Sequence, residues 1–261
     1  MNPSPQIRFF DNIYRPRTGR LQVPFDNLDG GTRVLSEEAE CDRYIALYGG
    51  HHFHKLYAAF PSTNFPYTEG KSVEIIDWGC GQAIATCVLI DYLIEKCINP
   101  KIVSITLIEP SSIALWRGYN FVSQMLQTNF SSNSTIRTVN KHIDYLEFSD
   151  FVSSDSNIKI HLFSNIIDVE AFDLNKLYNL IINCFQGISR IICTSPYQSA
   201  KNYRIDTFYN MFDEYPQVIN PFHSDEAIYE IIFNVLSGRF ETWKIARYER
   251  QFTVNFGQKC L

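Results

Sequence analysis

Residues 74–87 read EIIDWGCGQAIATC. An apolar run stops at Asp77, glycines follow at 79 and 81, and a helix-like pattern begins at once. Glycines in such a strand-to-helix turn let the backbone approach a ligand closely, because no Cβ intrudes. An acid at the strand end would repel a pyrophosphate and attract a ligand that carries positive charge. A dinucleotide-binding turn would also need a third glycine at 84, where this chain has Ile84. Further groups that could do chemistry are spread along the chain. Glu109 closes the run ITLIE, Asp144 lies in KHIDYLEF, and Ser164, Asn165 and Asp168 lie at or just past the end of IKIHLFSN. His51, His52 and His54 stand beside Tyr48 and Tyr57 in YGGHHFHKLY.

The elements that must position these residues follow from periodicity. VEIID (73–77), IVSITLIE (102–109), IKIHLFSN (158–165) and SRIICT (189–194) are short, nearly continuous apolar runs, as expected of strands buried on both faces. STIRTV supplies a further strand that runs into a turn. QAIATCVLIDYLIEKC, SSIALWRGYNFVSQML and FDLNKLYNLIIN carry apolar residues at helical spacing. The βαβα order implies a parallel sheet with right-handed crossovers and helices on both faces. Ligands of such sheets bind outside the carboxyl ends of the strands, where the turn at 77–83 lies. Upstream, SEEAECDRYIALYGGHHFHKLYAAF reads as a helix with Ser36 as N-cap and an end or kink at Gly49–Gly50. Downstream, SDEAIYEIIFNVLSG reads as a helix from Ser224 or Asp225 to Gly238. RFETWKIARYERQFTVNF then reads as two strands reversing near 246–249.

From about residue 70 to 256 the chain resembles the class I S-adenosylmethionine-dependent methyltransferases. Their first motif, an acid followed by G-x-G-x-G at the end of the first strand, stands here as D-W-G-C-G-Q-A, with Ala83 in the third glycine place. The resemblance implies a doubly wound α/β fold with a mostly parallel seven-stranded sheet and an antiparallel last strand. It also implies a cofactor, S-adenosylmethionine, whose ammonium and sulfonium suit Asp77. Its methionine part would be held by Asp77, Gly79, Cys80 and Gly81. Glu109 would accept from both ribose hydroxyls and Asp144 from the adenine amino group. Asn165 and Asp168 are the catalytic candidates after strand four, with His161 read instead as a buried strand residue. TSPYQ (194–198) is one proline short of the signature of amino-directed members, and Pro196 is read as ending strand five. Residues 1–70 are expected to form an arm and helical extension on the substrate side, and 71–261 the methyltransferase-like domain. The expected activity is methyl transfer to a small molecule, RNA or protein. The alternative is a catalytically inactive module that binds cofactor or a partner protein. Ile84 and Asp77 argue against a nicotinamide-dependent oxidoreductase.

Bulk properties set the remaining bounds. A formal charge of −5 argues against a protein that coats nucleic acid. The arm, however, interleaves Arg8, Arg15, Arg17 and Arg20 with Phe9, Phe10 and Tyr14, a pattern suited to phosphate contact and base stacking. The seven cysteines are scattered, without a C-x-x-C, and read as buried reduced thiols of a cytoplasmic protein. H-H-x-H has no carboxylate at helical spacing and reads as a lid or wall of the ligand pocket or as surface and helix-packing residues, so no metal is expected. No run approaches the ~18 apolar residues of a membrane span.

Overall fold

The computed structural model describes residues 7–18, 26–129, 134–169, 172–198 and 200–257. Arg20 and Cys260 therefore lie outside the described residues. The chain opens with a π-helical turn (Phe9–Tyr14) and two single turns, α1 (Arg15–Thr18) and α2 (Leu28–Gly31). The long α3 (Glu38–Ala59) follows. Then come β1 (Ser72–Trp78), α4 (Ile84–Glu95), β2 (Lys101–Ile108), α5 (Ser112–Asn129), β3 (Thr135–Val139), β4 (Ile158–Ser164), α6 (Leu174–Cys184) and β5 (Ile188–Ser195). The last part holds α7 (Tyr203–Asn210), β6 (Gln217–Ser224), β7 (Ile228–Asn234), β8 (Arg239–Ile245) and β9 (Tyr248–Asn255).

Seven strands form one sheet in the order β3-β2-β1-β4-β5-β9-β6. The pairs among β1 to β5 are parallel, and β9 runs antiparallel to both β5 and β6. The expected mostly parallel sheet with an antiparallel closing strand is present. Alternation along each strand serves two cores. Val73, Ile75, Ile158, Ile160 and Leu162 face the core under α4 and α5. Ile76, Trp78, Phe163 and Ile191 face the one under α6 and α7. His161 falls on the second face, fully buried, and its Nδ1 accepts from Trp78 Nε1 at 3.2 Å. Burial lowers its pKa to about 3, so it is a neutral strand residue, as expected.

Four readings are corrected. The segment expected as a helix over 224–238 instead contains β7, which pairs with β8 in a separate two-stranded sheet. Ile228, Ile231 and Ile232 have helical spacing, but a run of β-branched and aromatic residues also fits a pleated ribbon with one covered face. Ile232 and Ile245 are buried, whereas Tyr229 and Ile231 are exposed. Gly238, at φ +68, closes the β7–β8 turn rather than a helix, its N–H donating to Asn234 O. For the same reason β8 and β9 do not form a hairpin with each other. The chain leaves the small sheet after Ile245 and enters the large one at Tyr248.

The third correction concerns Gly49–Gly50, through which α3 runs unbroken. A Cβ on Gly50 would lie 2.6 Å from Tyr14 Oη, and one on Gly49 3.0 Å from Tyr14 Cδ2. The glycines thus seat a tyrosine of the amino-terminal turn on the helix, and the Tyr14 hydroxyl accepts from Phe233 N of β7 at 3.0 Å. Within the arm, Phe9, Ile13 and Tyr14 are buried in the core that β1 and α4 share. Fourth, Ser36 does not cap α3. Its N–H and hydroxyl donate to the Glu40 carboxylate, and Glu37 occupies the cap position.

Candidate functional site

The turn after β1 is built from left-handed backbone. Gly79 has φ +59, Gly81 +53 and Ala83 +56. Gly79 has no room for a side chain, since a Cβ would fall 2.7 Å from Ile166. Gly81 has nothing within 4 Å of that position, so its exposed backbone borders open space. Ala83 begins α4 from the left-handed region, a conformation costly for any residue with a Cβ. Its methyl is accommodated by a glycine elsewhere. A Cβ on Gly118 of α5 would lie 2.9 Å from the Gln82 carbonyl carbon and 3.0 Å from Ala83 Cβ.

Two acids meet at this turn. Asp77 is 1% exposed, and its Oδ2 accepts from the Thr86 N–H at 3.2 Å and the Thr86 hydroxyl at 2.7 Å. Burial pushes its pKa up to about 7, against the Thr86 bonds, with the Glu109 charge adding to the rise. Glu109, at the end of β2, accepts from Gly81 N at 3.0 Å through Oε2 and from Ser111 N at 2.9 Å through Oε1. Burial raises its pKa as well. Both backbone donors leave lone pairs on the carboxylate. Cys80 lies between the glycines, buried, its thiol held far above the ordinary range by burial. Asp144 sits in the turn after β3, where its Oδ1 accepts from Asp173 N at 3.0 Å. Gly79, Gly81, Glu109 and Asp144 line one cavity of about 250 Å³, with Ile143 and Phe172 as apolar walls.

A second cavity of about 480 Å³ adjoins the first, and Tyr44 and Asn165 border both. Its walls come from α3 (Tyr48, His51, His52, Lys55), the segment after β4 (Asp168), the segment after β5 and the end of β8. Asn165 is clamped. Its backbone is left-handed (φ +57), its N–H donates to Thr194 O at 2.7 Å, and its amide oxygen accepts from Lys55 Nζ. Its Nδ2 donates to His52 Nε2 at 2.9 Å and to Ser164 Oγ at 3.2 Å. His52 therefore accepts at Nε2, which matches a pKa held well below the ordinary value by burial and by the Lys55 charge. Asp168 accepts from the Ser195 hydroxyl at 2.8 Å. Lys55 is 2% exposed, and burial pulls its pKa down to about 7 against the attraction of Asp168.

The structure thus brings Gly79, Gly81, Glu109 and Asp144 together around one cavity, and Asn165 and Asp168 around the other. Asp77 and Cys80 do not line either; they border a separate small pocket of about 20 Å³ beneath the glycine turn. Sequence reasoning missed Lys55 and Tyr44, which no motif marks. The available signal was their helical spacing with Tyr48, His51 and His52. The three histidines diverge: His51 packs edge-on to Trp243, His52 meets Asn165, and His54 faces Glu230 at 3.6 Å. Among the described residues no group of three or more His, Cys, Asp or Glu converges as a metal site. The arm's described arginines, Arg8, Arg15 and Arg17, face acids. Arg8 pairs with Asp91 at 3.1 Å, Arg15 with Asp11 at 3.4 Å and Arg17 with Asp42 at 3.1 Å. Among the described residues no helix is long and apolar enough to cross a membrane.

No protein-family model matches this chain, and no curated protein sequence does. Among solved structures, similarity extends to a precorrin-6Y C5,15-methyltransferase from Geobacter metallireducens GS-15. It has TM-score 0.47 and 12% identity over 75% of this chain and 86% of that one. A precorrin 8W decarboxylase from Methanobacterium thermoautotrophicum gives 0.41 and 13% over 72% and 83%. An rRNA methylase from Streptococcus thermophilus gives 0.39 and 10% over 80% and 97%. The strand order and the antiparallel β9 make this the class I methyltransferase fold.

Proposed function

We propose that the protein is an S-adenosylmethionine-dependent methyltransferase in which residues 71–261 bind the cofactor and residues 1–70 wall the acceptor side. The observation that carries this reading is Glu109. A half-buried carboxylate at the β2 end, already bonded to Gly81 N across the glycine turn, faces a cavity with lone pairs to spare. The residues fit the cofactor. Gly81 offers bare backbone, Asp77 answers an ammonium, Glu109 two ribose hydroxyls, and Ile143 and Phe172 flank the place for a base near Asp144. When bound, the cofactor supplies an electrophilic methyl group on a sulfonium. The chain's own work is to place an acceptor beside it and exclude water, which a second cavity joined at Tyr44 and Asn165 allows. Asn165 acts as a clamp rather than an acceptor contact, since both its amide hydrogens and its oxygen are engaged within the protein. The arginine–acid pairs of the arm leave a nucleic-acid acceptor without support from that segment.

Calorimetry with S-adenosylhomocysteine and NAD tests the reading. S-adenosylhomocysteine should bind and NAD should not. Glu109→Gln should weaken binding by roughly ten- to a hundredfold, the scale of a lost hydrogen bond to a charged group. Binding of NAD alone would overturn the proposal. The clamped Asn165 also suits a second reading, a cofactor-binding module without catalysis. Labelled methyl from the cofactor, incubated with small-molecule, RNA and protein fractions, divides the two: transfer to any fraction removes the module.

A further inference from the structure

Among the described residues two lysines are buried, and they differ in what surrounds them. Lys159 lies within β4, its Nζ donating to Gln186 O, and it lines neither of the two cavities above. Lys55 ends inside the 480 Å³ chamber, and Asn165 Oδ1 is its hydrogen-bond partner among the described residues. A buried ammonium needs three acceptors, whereas a neutral amine bonded to Asn165 keeps a lone pair for the chamber. The polar groups that line the chamber with Lys55 include His51 and His52 on its own helix, Asn165 and Asp168 after β4, Lys201 after β5, and Lys244 at the exposed rim on β8. Tyr44, Tyr48 and Trp243 give the chamber aromatic walls. Of its two acids, Asp29 is paired with Arg33 at 3.0 Å, and Asp168 is held by Ser195. With Lys55 neutral, Lys201 and Lys244 still outnumber Asp168, the acid left to answer them.

We propose, resting on the methyltransferase reading, that this chamber holds a small aromatic acceptor bearing a reactive hydroxyl and an anionic substituent, with Lys55 as the base that receives the hydroxyl proton. A volume of this size suits a small molecule and not a polymer segment. The aromatic walls stack the ring, and Lys201 and Lys244 draw the anionic end. In the step, the hydroxyl oxygen bonds to the methyl carbon while the methyl–sulfur bond breaks, its electron pair staying on sulfur. The hydroxyl proton passes to the Lys55 lone pair, and the ammonium so formed is balanced by Asp168. Burial supports this role, because it leaves a large share of Lys55 unprotonated near neutrality.

The test uses 4-hydroxybenzoate, 4-methoxybenzoate and tyramine on protein saturated with S-adenosylhomocysteine. 4-Hydroxybenzoate should bind at least tenfold tighter than either of the others. Lys55→Met and Lys55→Arg should erase its preference over 4-methoxybenzoate while leaving S-adenosylhomocysteine affinity unchanged, which shows that both variants fold. With S-adenosylmethionine, wild-type turnover of 4-hydroxybenzoate should rise with pH through about 7 as Lys55 loses its proton. Both variants should lose about a hundredfold or more, with a flat profile. Lys55→Arg sets a permanent cation with no lone pair to offer in the same place, so full activity in it overturns the role of Lys55. Tyramine binding as tightly as 4-hydroxybenzoate, or neither binding, overturns the acceptor class. Failure of S-adenosylhomocysteine itself to bind would instead remove the methyltransferase reading.

Discussion

The two cavities meet at Tyr44 and Asn165 but are built in opposite ways. The 250 Å³ cavity is centred on one turn, lined by Gly79, Gly81 and Gln82, with Glu109 reaching it from the adjacent strand and residues 31–35, 141–144 and 164–166 closing it. The 480 Å³ chamber is assembled from α3, the ends of β4 and β5, and the β7–β8 ribbon, segments far apart in sequence. Backbone conformation decides the first and side-chain burial the second. A substitution in the turn should therefore destroy both folding energy and ligand binding. One in the chamber should change chemistry alone.

The largest effect is expected at Gly79. Gly79→Val must hold a β-branched residue at φ +59 with its Cβ 2.7 Å from Ile166. The expected loss is ~2–4 kcal/mol of stability, together with all S-adenosylhomocysteine binding. Gly81→Ala sharpens the contrast, because no atom lies within 4 Å of the new Cβ. Only the left-handed backbone costs there, about 1 kcal/mol, while binding should still fail because the methyl enters the cavity. Urea unfolding beside calorimetry reads both quantities. If Gly81→Ala keeps full affinity, the bare backbone at 81 is not a ligand surface.

This division also explains what could be read in advance. The glycine turn, Asp77, Glu109 and strands β1 to β5 were legible because local rules fix them: buried parallel strands read as apolar runs, and glycines mark left-handed turns. The ribbon was misread because Ile228, Ile231 and Ile232 satisfy a helical period as well as a strand with one face on α3. The decision came from the Tyr14 hydroxyl bonded to Phe233 N, a contact across most of the chain. Gly49–Gly50 likewise looked like a helix end because nothing local shows that Tyr14 needs the space. Lys55 carried no mark beyond its helical spacing with Tyr48, His51 and His52; burial by distant segments gives it its chemistry.

A smaller effect should appear in pH dependence. The Asp77 carboxyl titrates at about 7 in the folded protein, against roughly 3.9 in an unfolded chain. Between those values the folded state binds a proton that the unfolded state has released. Its contribution is thus fullest below about pH 4 and declines as pH rises through 7. Asp77→Asn removes the decline and should stabilise the ligand-free protein by on the order of 1–3 kcal/mol at pH 8, and by little at pH 4. It should at the same time weaken S-adenosylhomocysteine, since the ammonium loses its counter-charge. Equal destabilisation at both pH values would show that the ionised carboxylate is needed by Thr86 itself.

The smallest effect tests how the missing third glycine is tolerated. At Ala83 the left-handed backbone costs ~1–2 kcal/mol. Replacing it by glycine relieves that, but it raises the entropy of the unfolded chain by ~0.4–1 kcal/mol and loses a buried methyl worth ~0.8 kcal/mol. Ala83→Gly alone should therefore change stability by less than about 1 kcal/mol. Gly118→Ala alone should cost ~1–3 kcal/mol, because its Cβ meets Gln82 and the Ala83 methyl at 2.9–3.0 Å. In the double variant the methyl-to-methyl clash disappears while the contacts with the Gln82 carbonyl carbon and the backbone nitrogen of residue 83 stay. A double-mutant cycle should then show a favourable coupling of about 0.5–1.5 kcal/mol. Strict additivity would mean that Gly118 makes room for the backbone of the turn and not for the methyl of Ala83.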